Sequence, residues 1–520
     1  MSFFNTLQKN IEDINNLQMT ENGAIGFKST GKKLLDMNFN VPKYRKSSAA
    51  EICSDFKEAY AENETLAILW VFFARDVRGG LGERRLFRIL FNELCKENNE
   101  VAVKLLPLIA EYGRWDDLII ATENTPVWAD ALEIIKEQLH TDIKNHTAGN
   151  SVSLLAKWLP SERTSSQKSR NLARKIANGI DFPIKNYNRA LVTLRQHIDV
   201  VERKMSAKQW ENIDYSTVPS GANLLYKNAF LRNDEQRRRA YLDSLVKGET
   251  KINSSVLSPH DIVHKYMNGG WRNIASYDTA LEEMWKALPD VEGLENTIVV
   301  ADGSGSMTCR IDPNSSTTAL EVANAMAIYC AEHCNGEFKD KYITFSNRPQ
   351  FVDFTRVNAT SLHDKLTYAL KFNEVASTNI EGVFDIILDT AVKSKAKQDE
   401  IPNTILIISD MEFNSCATTN RNSGYYGGVS PDDALFVQIA KKYENEGYKL
   451  PRLVFWNVNS RTGTIPVKEN ELGVTLVSGY STSIFKMIQN GELDPYKNLV
   501  KTITAERYQP IIKALESADE

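Results

Sequence analysis

The chain has 520 residues, 42% of them hydrophobic and 25% charged, with a formal net charge of −5 at pH 7. Its length exceeds one ordinary hydrophobic core, so two or more domains are expected, and the composition is that of a soluble globular protein. No apolar run reaches membrane-span length, Met1-Ser2-Phe3-Phe4-Asn5 lacks signal-peptide order, and six scattered cysteines exclude a disulfide framework, so a reducing, cytoplasmic setting is expected.

Taken in chain order, Thr20-Glu21-Asn22-Gly23-Ala24-Ile25-Gly26 reads as a turn or a short extended piece. Helical periodicity then predicts helices over 49–62, 65–77, 83–97, 99–112, 127–139, 167–178, 184–204, 222–231, 234–247 and 275–287, with few strand signals between them. Many short helices with short connections point to an all-α, HEAT-like array of stacked pairs, although no strict repeat sets a period. Gly79-Gly80-Leu81-Gly82, flanked by Arg75, Arg78, Arg84 and Arg85, has two readings. It is a turn whose arginines pair with nearby acids, or an anion-binding nest ahead of a helix. Arg114-Trp115-Asp116 reads as packing between helices with a buried ion pair.

From Thr297 the pattern changes. Apolar, β-branched runs at 297–301, 341–346, 351–354, 404–409, 452–458 and 474–477 alternate with helical stretches near 318–334, 361–371, 380–396, 431–446 and 481–490. This is the signature of an α/β, doubly wound, mostly parallel sheet, which binds its ligands at the carboxyl ends of the strands. The charge balance changes in the same region. Residues 1–290 carry 40 Lys and Arg against 37 Asp and Glu, and residues 291–520 carry 22 against 30, which supports a domain boundary near 290. The expected division is therefore 1–290, helical, and 291–520, α/β. Cys330 and Cys334, with His333 between them, fall inside a helical pattern and read as packing residues.

Asp302-Gly303-Ser304-Gly305-Ser306 follows the first of these strands. One carboxylate and two hydroxyls on a tight turn are oxygen ligands of the kind hard divalent cations prefer. The dinucleotide-loop pattern would need glycine where Thr308 stands, and Asp302 would repel a pyrophosphate. Two further segments complete a set: Thr378 precedes a helical pattern, and Asp410 ends the strand-like run Thr404–Ser409. The segment Arg421-Asn422-Ser423-Gly424-Tyr425-Tyr426-Gly427-Gly428 reads as a mobile loop bordering the same face.

This three-part pattern resembles the metal-ion-dependent adhesion site of von Willebrand factor A (vWA) domains. The resemblance implies Mg²⁺ or Mn²⁺ held directly by Ser304, Ser306 and Thr378. Asp302 and Asp410 would act through bound water, and one position would stay open for a partner's carboxylate. Further strings are Glu21-Asn22-Gly23-Ala24, Leu35-Asp36-Met37-Asn38-Phe39, Arg75 to Arg84, Tyr112 to Leu118, Trp158 to Glu162, Asp214 to Ser220, Pro259 to Val263 and Ser409-Asp410-Met411-Glu412-Phe413. Together they resemble an uncharacterised vWA-containing family of bacteria, phages, fungi and plants, itself similar to the TROVE proteins that include the Ro autoantigen. That similarity implies a scaffold that binds small structured RNA. The stretch Lys157–Lys208, with 12 Lys and Arg against 4 Asp and Glu, offers Lys168, Arg170, Arg174, Lys175, Lys185, Arg189 and Arg195 for phosphate contacts. The other expectation is a protein-interaction or phage-assembly scaffold whose metal captures an acidic residue. No catalytic motif is legible. His260 and His264 enclose Asp261 where a zinc protease needs Glu next to the first His, and no nucleophile elbow or phosphate loop is present, so a non-enzymatic protein is expected.

Overall fold

A computed structural model describes residues 3–198, 200–254, 256–268, 270, 273–292, 294–414, 435–467, 473–489, 492 and 494–517. Cys416 and the expected loop 421–428 lie outside the described residues. The chain forms two compact units that interleave along the sequence. One comprises Met1–Glu51, Asp55–Glu62 and Leu257–Thr502, and the other Ile52–Ser54, Asn63–Val256 and Ile503–Glu520. The units therefore do not divide at a single cut after 290.

The second unit is helical. Its central helix, Glu64–Arg75, is apolar all round and buried from Ala67 to Arg75, as a helix surrounded by others must be. Asn63 caps it by accepting from the Leu66 N–H at 2.9 Å. Phe72 meets Phe87, Phe91 and Tyr112 edge-on at 5.5–6.1 Å. The helix predicted over 99–112 is broken at Leu106–Leu108, where Pro107 lacks an N–H. The helix predicted over 184–204 is two, Ile184–His197 and Val201–Ser206, and the one predicted over 127–139 runs from Trp128 to Thr147.

The glycine segment and the Arg-Trp-Asp string are structural within this unit. Arg75 Nε donates to Asp117 Oδ2 at 2.7 Å, Arg88 Nε to Asp117 Oδ1 at 2.6 Å, and Arg88 Nη2 to Asp116 Oδ2 at 2.6 Å. Asp117 also accepts from the Arg114 N–H at 3.0 Å, closing the start of the helix Trp115–Thr122. A Cβ on Gly80 would lie 1.9 Å from the Phe73 carbonyl oxygen, so only glycine lets the turn pack there. Asp76 is held by Arg507, whose Nη2 lies 2.8 Å from its Oδ1, and by the Tyr508 hydroxyl at 3.2 Å.

The first unit carries the sheets. A hairpin pairs β1 (Leu17–Met19) with β2 (Ile25–Phe27) antiparallel. Among the described residues up to 290, the other regular elements are helices. Six strands follow: β3 (Thr297–Asp302), β4 (Lys341–Phe345), β5 (Pro349–Asp353), β6 (Thr404–Ser409), β7 (Arg452–Asn457) and β8 (Val474–Ser478). Their order is β5-β4-β3-β6-β7-β8, parallel throughout except for β5. β3 and β8 are buried along their whole length, and β6 and β7 from their second residue onward, which is why they read as continuous apolar runs rather than alternating ones. The helix Ala319–His333 lies against β3, β4 and β6 and is buried on nearly every face. Cys330 and Cys334 are packed there as free thiols, and burial pushes the Cys334 thiol up to about 12.

Segments remote in sequence complete this unit. The Phe27 and Ile465 backbones exchange hydrogen bonds at 2.8 and 2.9 Å, and Asn457 Nδ2 donates to the Phe39 carbonyl at 2.8 Å. Glu282 accepts from the Leu362 and His363 N–H groups at 2.8 and 3.0 Å, capping the helix Leu362–Ala369. His264 bridges Glu321, at 3.1 Å from Nδ1, and Ser316, at 3.1 Å from Nε2. The other Glu321 oxygen closes the capping box with Thr318 at 2.7 Å, so this Ser–His–Glu line pins the helix Pro259–Met267 to Ala319–His333.

Candidate metal centre

β3 and β6 are neighbours in the sheet, and their carboxyl ends deliver Asp302 and Asp410 to one place. A third loop, residues 373–380, crosses beside them. The Gly305 N–H donates to the Ala376 carbonyl at 2.9 Å and the Val375 N–H to the Gly303 carbonyl at 3.0 Å, so this loop is stitched to the D-x-S-x-S turn. A Cβ on Gly305 would meet the Ala376 carbonyl oxygen of this loop at 3.4 Å, and one on Gly303 would meet Thr344 Oγ1 of β4 at 3.0 Å. The three separated segments expected to supply the site are thus brought together.

Ser304 and Ser306 share a hydrogen bond between their hydroxyls, with the oxygens 3.0 Å apart. Neighbouring ligands of an octahedral Mg²⁺, at 2.0–2.1 Å from the ion, are about 3 Å apart, so the pair has the spacing of two adjacent ligands. Asp302 is fixed at both oxygens, by the Ser304 N–H at 2.9 Å and the Ser409 hydroxyl at 2.6 Å. Asp410 Oδ1 accepts from the Glu412 N–H at 3.2 Å, whereas Oδ2 is buried with no hydrogen-bond donor. That oxygen forms an ion pair with Arg461 Nη1 at 3.5 Å. Thr378 is paired in both directions with Asn414, through Asn414 Oδ1 at 3.2 Å and the Thr378 carbonyl at 3.0 Å.

The electrostatics fit a cation. Burial, followed by repulsion from Asp410, pushes the Asp302 carboxyl up to about 7. Burial pushes Asp410 up to about 6, against the pull of the Ser306 hydroxyl and Arg461. Two desolvated carboxylates at the ends of neighbouring strands, with one guanidinium at 3.5 Å as their counter-charge, are an arrangement a divalent ion relieves. Among the described residues no group of three His, Cys, Asp or Glu side chains gathers; beside the two carboxylates, the donors here are the Ser304 and Ser306 hydroxyls, which are hard oxygen ligands. Val375 and Met411 both have positive φ, 51° and 64°. For a β-branched residue such as Val375 this is a costly conformation, held where the loops converge.

Sequence reasoning missed the residues around this set. Glu412 is fully buried and accepts from the N–H groups of Glu21, Arg461 and Thr462 at 2.9, 3.0 and 3.0 Å. Arg461 in turn pairs with Glu21 at 2.7 Å, and Asn22 Nδ2 lies 3.3 Å from Thr378 Oγ1. Glu21, Asn22 and Glu412 stood in the strings that carried the family resemblance, but nothing in the sequence placed them beside Asp410.

The basic residues of the helical unit divide in two. Arg195 donates to the Ala156 and Leu159 carbonyls at 2.7 Å each and is half-buried. Arg170 donates to the Thr164 and Ser165 carbonyls, Arg174 to Glu162 at 2.7 Å, and Lys175 to Asn124 at 3.0 Å. These four serve internal ties. Lys168, Lys185 and Arg189 are exposed on the helices Gln167–Gly179 and Ile184–His197.

Among the described residues no helix is long and apolar enough to cross a membrane. A profile described as a domain of unknown function (DUF2828) matches residues 184–295, and a second domain of unknown function (DUF7788) matches residues 296–514, beginning one residue before β3. Across nearly its whole length the chain is similar to the uncharacterized protein L728 of Acanthamoeba polyphaga mimivirus, with 28% identity over 544 aligned positions, 97% of this chain and 90% of that protein.

Proposed function

We propose that the α/β unit is a vWA-like binding module of a non-enzymatic scaffold, in which one divalent cation, Mg²⁺ or Mn²⁺, mediates capture of an acidic group on a protein partner. Ser304, Ser306 and Thr378 would hold the ion directly, with Asp302 and Asp410 behind them. When bound, it supplies an electrophilic position that a carboxylate can fill. The observation that carries this reading is the convergence of Asp302 and Asp410 with the 3.0 Å hydroxyl pair, leaving one buried Asp410 oxygen without a donor. The free cysteines agree with action in a reducing compartment such as the cytoplasm. Titration of the full-length protein with Mn²⁺, followed by electron paramagnetic resonance, tests it. One bound ion is expected, competed by Mg²⁺, with affinity at least tenfold weaker in Asp302→Ala and in Thr378→Ala. Equal binding by the wild type and both variants would overturn it.

A second reading, the Ro-like one, is that the helical unit binds structured RNA. It is favoured by Lys168, Lys185 and Arg189, which stand exposed on two consecutive helices. Each phosphate contact contributes about 0.7–0.9 to the slope of log affinity against log salt. The triple charge reversal of these three residues should lower that slope by about 2, measured by filter binding of a structured RNA. An unchanged slope removes the helices from the interface.

A further inference from the structure

The cation reading leaves one coordination position open, and the structure brings a side chain of the chain's own beside Thr378, one of the expected ligands. We propose that Asn22, in the turn between β1 and β2, is a resident ligand of this position, held in place until an acidic partner displaces it. The proposal rests on the cation reading.

The turn is docked beside the site by several independent bonds. Thr20 Oγ1 donates to the Phe413 carbonyl at 2.6 Å, and the Ala24 N–H donates to the same carbonyl at 3.3 Å. The Glu21 N–H donates to Glu412 Oε2 at 2.9 Å, and both Glu21 carboxylate oxygens take Arg461, at 2.8 and 2.7 Å. Gly23 bridges antiparallel to Asn414, the residue that grips Thr378. Each contact falls on the segment immediately after Asp410 or on Arg461, the residue whose guanidinium stands 3.5 Å from Asp410.

Asn22 is thereby carried to Thr378, with its amide 3.3 Å from Thr378 Oγ1 and donating to the Glu412 carbonyl. The atom at that distance is the amide nitrogen, so the contact places the carboxamide beside the Thr378 hydroxyl with its N–H group, not its oxygen, toward it. A carboxamide carries its ligating oxygen and its N–H donors on one planar group, so a turn about the Cβ–Cγ bond exchanges them: the oxygen reaches the Thr378 side for the ion, and the nitrogen gives up its bonds to Thr378 and the Glu412 carbonyl. A neutral amide oxygen is a weaker ligand for a hard cation than a carboxylate, so Asn22 holds the position without closing it to an acid. Binding is reciprocal: the ion steadies the turn, and the turn strengthens the ion.

Mn²⁺ affinity measured by electron paramagnetic resonance on the full chain tests this, together with amide hydrogen exchange over residues 17–27. Asn22→Asp places a carboxylate at the position and should tighten Mn²⁺ at least tenfold, whereas Asn22→Ala should weaken it several-fold. Asn335→Asp, an exposed change just past the other end of the helix Ala319–His333, controls for added charge and should leave the affinity near wild type. Mn²⁺ should slow exchange in 17–27 of the wild type and not in Asp302→Ala. If Mn²⁺ binds the wild type but Asn22→Asp matches Asn335→Asp, the assignment of Asn22 falls and the cation reading stands. If the wild type binds no Mn²⁺, both fall.

Discussion

Asp117 shows how much one buried residue can carry. Its side chain has no exposure, and it accepts from Arg75, Arg88 and the Arg114 N–H at once. Arg75 is 5% exposed, so Asp117→Asn would leave a nearly dry guanidinium facing a neutral amide. Breaking such a buried pair costs about 3–5 kcal/mol, against about 0–1 kcal/mol for an exposed one. Asp117→Asn should therefore lower the unfolding free energy by several kcal/mol in urea titration. Asp389→Asn, which removes an exposed i,i+4 pair with Lys393, should change it by less than about 1 kcal/mol. Comparable losses would mean that the Arg75–Asp117–Arg88 cluster is solvated. Asp302 and Asp410 are compensated less fully: Asp302 takes neutral donors only, and Asp410 has a single guanidinium, at 3.5 Å, so burial still pushes both carboxyls up and their environment suits a bound ion.

At the scale of elements, legibility tracked how local the cause was. Strands β3, β6, β7 and β8 were legible because a strand buried on both faces must be apolar at every position, and such runs are unmistakable over five or six residues. Asp302, Ser304 and Ser306 were legible because they share one turn, and Thr378 and Asp410 because each adjoins an element with a clear period. Glu412, Asn414 and Arg461 were not, since their roles depend on partners such as Glu21, 391 residues from Glu412. Periodicity carries no information about such pairings. The break at Pro107 was readable in principle, because a missing N–H is a local property, whereas the extension of the helix from Trp128 to Thr147 depends on packing of residues such as Leu139 and Asp142. The basic stretch shows the limit of composition: its count of Lys and Arg was correct, but Arg195 and Arg170 are spent on backbone carbonyls, a use that charge alone cannot distinguish from a phosphate contact.

For the whole molecule, the interleaving of the two units predicts what can be cut. A fragment of residues 291–520 keeps all six strands of the main sheet but loses every group that the first 290 residues lend to it. Asn457 Nδ2 loses the Phe39 carbonyl, the Ser478 hydroxyl loses the Asn38 carbonyl, Ile465 loses its two backbone bonds to Phe27, and the Leu362 and His363 N–H groups lose Glu282. Asn457 and Ser478 are buried, and each buried polar group left without a partner costs about 1–3 kcal/mol. Several such losses equal the net stability of an ordinary domain, about 5–15 kcal/mol, before any apolar surface on Phe27, Leu35 and Phe39 is counted. The fragment should therefore melt without a cooperative transition by circular dichroism, and co-expression of residues 1–62 with 257–502 should restore one. A cooperative transition in 291–520 alone, at the melting temperature of the full chain, would show that the N-terminal segments only decorate a self-sufficient sheet.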